Sequence, residues 1–392
     1  MNREEKKIMG LTVTGHGLVH LFEGMLPPLI PLMMVDFGTD YFHMGIVVSV
    51  FSYAFGIGSL PAGFLADKLG PRRLVTTFLF GAGVLSALVF FIPSFPAYGI
   101  IMGFIGLFCS LYHPGANTLI SQSIREKGKA FGMHGIAGSL GVAAVPVISA
   151  WLGLKMGWKA PHVLFGLLGI AAAFYSFSVP ARSGFAVESH ERQGKKESIA
   201  YLNLIIFFCS ASALGMTYKG IMTFLPAYMG ENVHFAFLTL DKVALGGAIA
   251  TLALVFGALG QYFGGRSVDR FKPEKVYASV VIAGTFFVFL MAKSSGLLLI
   301  IAAVVYAFFY FSTQPMQNFL LARYLPRNRH GIGYGIHFFV TFGVGSTAAA
   351  VSGYLADRYG LESVFYAMTA CFAIASILSL ILLARAGKSE RE

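Results

Sequence analysis

The sequence predicts an all-α membrane protein: twelve transmembrane helices in two pseudo-symmetric six-helix bundles. Three observations carry this reading. The chain is 56% hydrophobic and 12% charged, with mean hydropathy +0.71, whereas soluble domains carry about 25% charged residues and even a large soluble core needs a charged surface. Its apolar residues fall into runs of about eighteen or more, the length a membrane-spanning helix requires. The second half of the chain repeats the first.

The spans lie near 8–34, 44–66, 74–92, 97–123, 129–153, 161–180, 200–229, 243–265, 276–292, 296–322, 331–356 and 363–384. Several contain Gly or Pro, as the first does at Pro27, Pro28 and Pro31; membrane helices tolerate these because neighbouring groups satisfy the freed backbone. The opening MNREEKK leads into the first apolar run with no small-residue cleavage site after it, which predicts an uncleaved first helix.

The basic residues test this topology. With the N-terminus inside, 23 of the 29 Lys and Arg fall on the inner side, in the N-terminal tail at Arg3, Lys6 and Lys7, in alternate loops from Lys68 to Arg329, and in the C-terminal tail at Arg385, Lys388 and Arg391. Only Lys155, Lys159, Lys242, Lys293 and Arg358 fall outside, and Lys219 lies within a helix. Cytoplasmic loops are enriched in Lys and Arg, so both termini are expected in the cytoplasm, with the protein in a cell inner membrane. The net charge of +11 then reflects orientation; a nucleic-acid binder gathers its charge on one polar surface, and no nucleic-acid partner is expected. Cys109, Cys209 and Cys371 are isolated in apolar helices and form neither a disulfide framework nor a metal motif.

The repeat has an offset near 201 residues. GFLADKLGPRRL at 63–74 aligns with GRSVDRFKPEKV at 265–276, YHPGAN at 112–117 with TQPMQN at 313–318, and FGMHG at 131–135 with GYGIH at 333–337. Asp67 thereby answers Asp269, Pro114 answers Pro315 and His134 answers His337. The expected domains are an N-terminal six-helix bundle over 1–180, a charged cytoplasmic linker over 181–199 and a C-terminal six-helix bundle over 200–392. Parallel six-helix repeats of this kind occur in secondary transporters.

GFLADKLGPRR strongly resembles the loop between helices two and three of the major facilitator superfamily, a likeness that extends over essentially the whole chain. HLFEG at 20–24, YHPG at 112–115 and the Gly-rich stretch 135–146 resemble the fosmidomycin-resistance branch of drug efflux proteins. That branch carries an acid where this chain has Gly24 and another where it has Gly115; Glu23 stands next to the first position. The resemblance implies helices one, four, seven and ten around a central cavity, and a loop cluster that holds one alternating-access state closed. In that cluster Gly63 is expected to allow close helix packing, Asp67 to face a helix N-terminus, and Arg72 and Arg73 to bridge carboxylates or lipid phosphates. Asp269 with Arg270 suggests a paired latch. The same basic residues are also explained by topology alone.

Ionisable residues inside a bilayer face a bundle interior or a wet cavity. The interiors of the third, sixth, ninth and twelfth spans carry none, which marks them as lipid-facing. In the first span His16, His20 and Glu23 share one face by their spacing of four and three, with the histidines about 12 and 18 Å along a helix begun at residue 8. Histidine changes charge near neutral pH, so this face suits proton transfer. The fourth span adds Tyr112, His113 and Asn117 around Pro114, a proline that also has a plain reading as a kink. The tenth supplies Gln314, Gln317 and Asn318, and the seventh Tyr218 and Lys219. A buried lysine needs a partner: Glu23, an anionic substrate, or a snorkelling path to the interface. His134 and His337 sit a few residues inside the cytoplasmic ends of their helices, near an inner gate.

These residues predict a secondary transporter exporting a small organic anion or polar drug by alternating access, coupled to protons. Its expected partners are that substrate, protons and the lipid bilayer; it is expected to act as a monomer without cofactor or bound metal. No G-x-x-x-x-G-K-[ST] motif is present, which argues against ATP drive. Two other readings stay open on sequence alone. His16, His20, Glu23 and His113 could carry a divalent transition metal as cargo, or Glu23 with His20 could serve a membrane-embedded enzyme as acid and base. The spread of polar residues over both halves favours transport.

Overall fold

The computed structural model describes residues 1–179, 201–234, 240–268, 270–325 and 330–389. The linker expected over 181–199 lies outside the described residues, as does Asp269.

The chain begins helical before its apolar run does. Asn2 accepts the Glu5 amide at 2.9 Å while the Glu5 carboxylate accepts the Asn2 amide at 2.8 Å. This reciprocal cap satisfies two orphan donors and starts the helix at Arg3. The spans, labelled in chain order, are α1 Arg3–Phe37, α2 Tyr41–Ala66, α3 Pro71–Phe91, α4 Phe95–Ser123 and α5 Ala130–Met156. Next come α6 Lys159–Ser176, α7 Tyr201–Asn232, α8 Lys242–Val268, α9 Pro273–Lys293, α10 Gly296–Tyr324, α11 Gly333–Tyr359 and α12 Glu362–Ala386. Among the described residues eleven helices are long and apolar enough to cross a membrane. The twelfth, α6, has 18 residues, its apolar run diluted by Lys159, Pro161 and His162 in the first turn. It ends at Ser176 instead of reaching 180, because Phe177, Ser178 and Val179 close tight turns onto the carbonyls of Phe174, Tyr175 and Ser176.

Three spans depart from a plain α-helix. In α1 a helix over Arg3–Gly24 gives way to a 3-10 turn at Pro27–Leu29 and resumes over Ile30–Phe37. In α4 the helices Phe95–Cys109 and Tyr112–Ser123 are separated at Ser110. Pro114 has no amide to offer the Ser110 carbonyl, which the i→i−4 pattern would have used. In α11 the segment Phe339–Gly343 is π-helical and leads through a 3-10 turn into Thr347–Tyr359. Sequence periodicity did not reveal that π turn.

The chain divides into two compact units, Met1–Gly38 with Val50–Gln193, and Thr39–Ser49 with Gly194–Glu392. Residues 39–49 of α2 therefore pack in the second unit. Between apolar helices in lipid, association rests on close packing and interhelical hydrogen bonds of about 0.6 kcal/mol each. In the first unit Thr76 of α3 bonds Ser176 of α6 at 2.7 Å, and Ser86 donates to the His162 carbonyl at 2.8 Å. In the second, Ser312 of α10 donates to the Gly260 carbonyl of α8 at 2.9 Å, Ser210 of α7 bonds Tyr277 of α9 at 2.9 Å, and Thr285 of α9 bonds Ser376 of α12 at 2.8 Å.

The spans expected to face lipid carry exposed apolar side chains: Phe80 on α3, Leu167 and Phe174 on α6, Phe286 on α9, Ile377 on α12. His162, at the start of α6, is fully buried, its Nε2 3.2 Å from the Tyr98 hydroxyl.

Candidate functional site

In the first unit the polar side chains converge where α1, α4 and α5 meet. Small residues bring these helices together: a Cβ on Gly141 of α5 would stand 3.0 Å from the Gly17 Cα of α1, and one on Gly15 would stand 2.6 Å from the Tyr112 ring. Tyr112 is fully buried and donates its hydroxyl to the Thr12 carbonyl. His16 lies at the centre. Its ring stacks on His134 at a centroid distance of 4.0 Å and meets His20 at 5.0 Å and His113 at 5.2 Å. Its Nδ1 is 2.6 Å from the His134 carbonyl. A carbonyl only accepts, so Nδ1 carries the proton and Nε2 presents its lone pair. His20 and Glu23 are partly buried, with Nδ1 and a carboxylate oxygen 3.3 Å apart. The one-face arrangement expected from spacing in α1 is present, and α4 adds His113 to it. Asn117 is exposed one turn further along α4.

The second unit has a different polar centre. Lys219 of α7 is 6% exposed, and its Nζ lies 5.7 Å from the Tyr218 ring centroid and 5.5 Å from that of Phe342. Phe342 belongs to the π turn of α11. Tyr218 in turn stacks on Tyr310 of α10 at 5.2 Å, with 13° between the ring planes. Two aromatic faces suit an ammonium group, and π turns recur at functional sites. Close packing of α7 on α11 places these groups: a Cβ on Gly345 would stand 2.8 Å from the Gly215 backbone. On α10 Gln314 accepts from Gln261 at 2.6 Å, the buried Gln317 reaches Thr313 at 3.3 Å, and the Asn318 carbonyl accepts from Tyr334 at 3.2 Å. His337 is buried against Phe207 with centroids 5.6 Å apart. His134 and His337 each stack on the first helix of their own unit, one on a histidine and the other on a phenylalanine.

The loop cluster is only partly visible. The Asp67 side chain lies outside the described residues along with Asp269, so the paired latch has no geometry here. Arg72 donates to the Val179 carbonyl at 2.9 Å, while Arg73 and Arg270 are exposed. Gly63 departs from expectation: among the described residues a Cβ there would meet nothing within 4 Å, so helix packing does not require glycine at that position.

Two features escaped sequence reasoning. Asp357, at the end of α11, accepts the amides of Tyr41 and Phe42 at the start of α2, at 3.1 and 2.7 Å. Its setting GYLADRYG at 353–360 shares the spelling of GFLADKLG at 63–70, a signal that was there to find. Glu274 is 1% exposed and is held by Arg323 and Tyr324, each at 3.2 Å; in the first unit Glu5 accepts the Arg125 amide at 3.1 Å.

Eleven helices long and apolar enough to cross a membrane, among the described residues, mark a polytopic membrane protein. The sequence profile of the Major Facilitator Superfamily matches residues 12–350 and, overlapping, 207–392, and the chain belongs to that family. It is 23% identical to the probable L-galactonate transporter of Escherichia coli over 381 residues, covering 89% of this chain and 83% of that one. It is 24% identical to the probable galactarate/D-glucarate transporter GudP of Bacillus subtilis over 394 residues, covering 89% and 85%. Among solved structures, an inward-facing bacterial homologue of the human lysosomal transporter Spinster superposes with a TM-score of 0.80 at 13% identity, over 97% of each chain.

Proposed function

We propose that this transporter moves a small organic anion by alternating access, coupled to protons, with Lys219 as the anion anchor. The observation that carries the reading is Lys219 itself, buried in α7 between the rings of Tyr218 and Phe342. A buried ammonium is costly and marks a substrate or ion pathway. The names of the similar proteins, a galactonate and a galactarate/glucarate transporter, supply the substrate class: a hydroxylated carboxylate. His20 with Glu23 is the proposed proton-carrying pair, supported by their 3.3 Å contact. The resemblance of HLFEG and YHPG to drug efflux proteins supports a second cargo, a phosphonate or carboxylate drug, with export as the direction of flux. An inner membrane with both termini cytoplasmic completes the reading.

The experiment is uptake of labelled galactonate, glucarate and fosmidomycin into liposomes holding the purified protein. Lys219→Ala is expected to abolish binding of the acidic cargo and Lys219→Arg to retain part of it. Restoration of transport by adding Glu23→Gln to Lys219→Ala would assign the lysine to charge balance and remove the anchor role. Recovery of the solute chemically unchanged distinguishes transport from catalysis.

A further inference from the structure

We propose that His16, His113 and His134 form a binding site for a first-row transition-metal dication of the Zn²⁺ class, inside the first unit and separate from the anion anchor. One ring nitrogen from each residue lies within 4.8 Å of the others. The three ligands come from α1, α4 and α5. Zn–N bonds of about 2.0–2.1 Å in a tetrahedral site put neighbouring nitrogens about 3.3 Å apart, so rotations of the imidazoles moving each nitrogen by about 1 Å close the site.

Two features point to a metal, and a third explains how His16 comes to stand there. The first is the supporting contact of His16. Its Nδ1 donates to the His134 carbonyl, which fixes the tautomer and directs the Nε2 lone pair away; metal-bound histidines are typically oriented in this way. The second is His134, 4% exposed, with neither ring nitrogen in a hydrogen bond. The ring comes close to the Thr12 backbone, whose carbonyl already accepts the Tyr112 hydroxyl. A buried polar group left unsatisfied is destabilising, and coordination through one nitrogen removes much of that cost. The third is room: a Cβ on Gly138 would stand 2.6 Å from the His16 Nε2, so glycine is what lets the ring occupy this place.

The donor chemistry sets the class of ion. Three imidazoles with no carboxylate among them suit Zn²⁺, Co²⁺, Ni²⁺ or Cu²⁺ and discriminate against Mg²⁺ and Ca²⁺. His20, with its ring centroid 5.0 Å from that of His16, stands beside the open fourth position and is held by Glu23. The set differs from the metal-cargo reading of the sequence, in which His134 had no part.

The test uses the full chain in detergent micelles with any affinity tag removed, so transport need not work for the result to be read. Zn²⁺ titration is followed by calorimetry and Co²⁺ titration by visible absorption. Expected are one saturable Zn²⁺ per chain, no response to Mg²⁺, and the intense bands of four-coordinate Co²⁺. His16→Ala and His134→Ala should each weaken binding by at least about tenfold, with unfolding of the metal-free variants checked against wild type. Gly138→Ala, which leaves all three ligands present, should weaken it too. His43→Ala is the control, because His43 forms a half-exposed pair with Asp40 that could hold metal adventitiously. Absence of a saturable site, a weak six-coordinate Co²⁺ spectrum, or loss of binding in His43→Ala alone would each overturn the proposal.

Discussion

The carboxylate of Asp357 caps the helix that begins at Tyr41, accepting the Tyr41 amide at 3.1 Å and its neighbour's at 2.7 Å. A helix N-terminus carries partial positive charge and unpaired amides, so a carboxylate is the best-matched side chain there. The fit is tight around it: Gly353 leaves no room for a Cβ beside the Tyr41 carbonyl, Ser49 donates to the Ser346 carbonyl at 2.6 Å, and the Tyr41 hydroxyl reaches Glu231 at 3.2 Å. Start of α2 and end of α11 thus form one fastened corner.

Asp357→Asn keeps the shape and one acceptor but loses the charge and the second acceptor. A cap of this kind contributes about 1 kcal/mol, a factor of about five in an opening equilibrium. Hydrogen exchange at the Tyr41 and Phe42 amides should quicken by about that factor. Unchanged exchange at both amides would mean the carboxylate is not what holds them.

Much of this was open to a sequence reader, and the boundary is physical. Helical spacing fixes which residues of one helix share a face, so His16, His20 and Glu23 were visible together. It says nothing of which neighbouring helix turns toward that face, so His134 joining His16 across 118 residues of chain was not. The spans followed from apolar run length, but the true start at Arg3 came from a polar cap that hydropathy ignores. The π turn at Phe339–Gly343 left no mark in the apolar pattern, because it changes the hydrogen bonding of the backbone and not the kind of side chain.

The glycines of α5 should separate by position. Gly138→Ala drives a methyl group into the His16 ring, and overpacking of this sort costs about 1–3 kcal/mol. Gly135→Ala, three residues earlier, meets nothing within 4 Å and gains up to about 1 kcal/mol of helix propensity. Thermal unfolding in detergent should therefore fall for the first and hold or rise for the second. Equal losses would show that chain flexibility, not space for His16, selects glycine.

Proton coupling has its own signature. With one proton per substrate, a gradient of one pH unit sustains about a tenfold accumulation, since each tenfold step is about 1.4 kcal/mol. His20→Gln keeps a hydrogen-bonding side chain beside Glu23 and cannot titrate. Accumulation in liposomes under an imposed gradient should vanish while downhill exchange continues. A variant that still concentrates substrate would move the carrier role to Glu23.

Orientation is tested with reporter fusions at residue 190 and at the C-terminus. The concentration of Lys and Arg in alternate loops predicts the same, cytoplasmic side for both. Opposite readings would require an odd number of crossings between them.

The π turn of α11 also bears on the symmetry of the two halves. Gly157 and Gly360 close corresponding helices with nearly equal left-handed torsions, φ +87° and +88°. From His337 to Gly360 the chain counts the same number of residues as from His134 to Gly157, so the π turn at Phe339–Gly343 holds no surplus residue, and the tighter 3-10 turn at Val344–Ser346 follows it directly. The two helices therefore differ in backbone path and not in length, and Phe342, whose ring centroid lies 5.5 Å from the Lys219 Nζ, sits on the stretch where they differ.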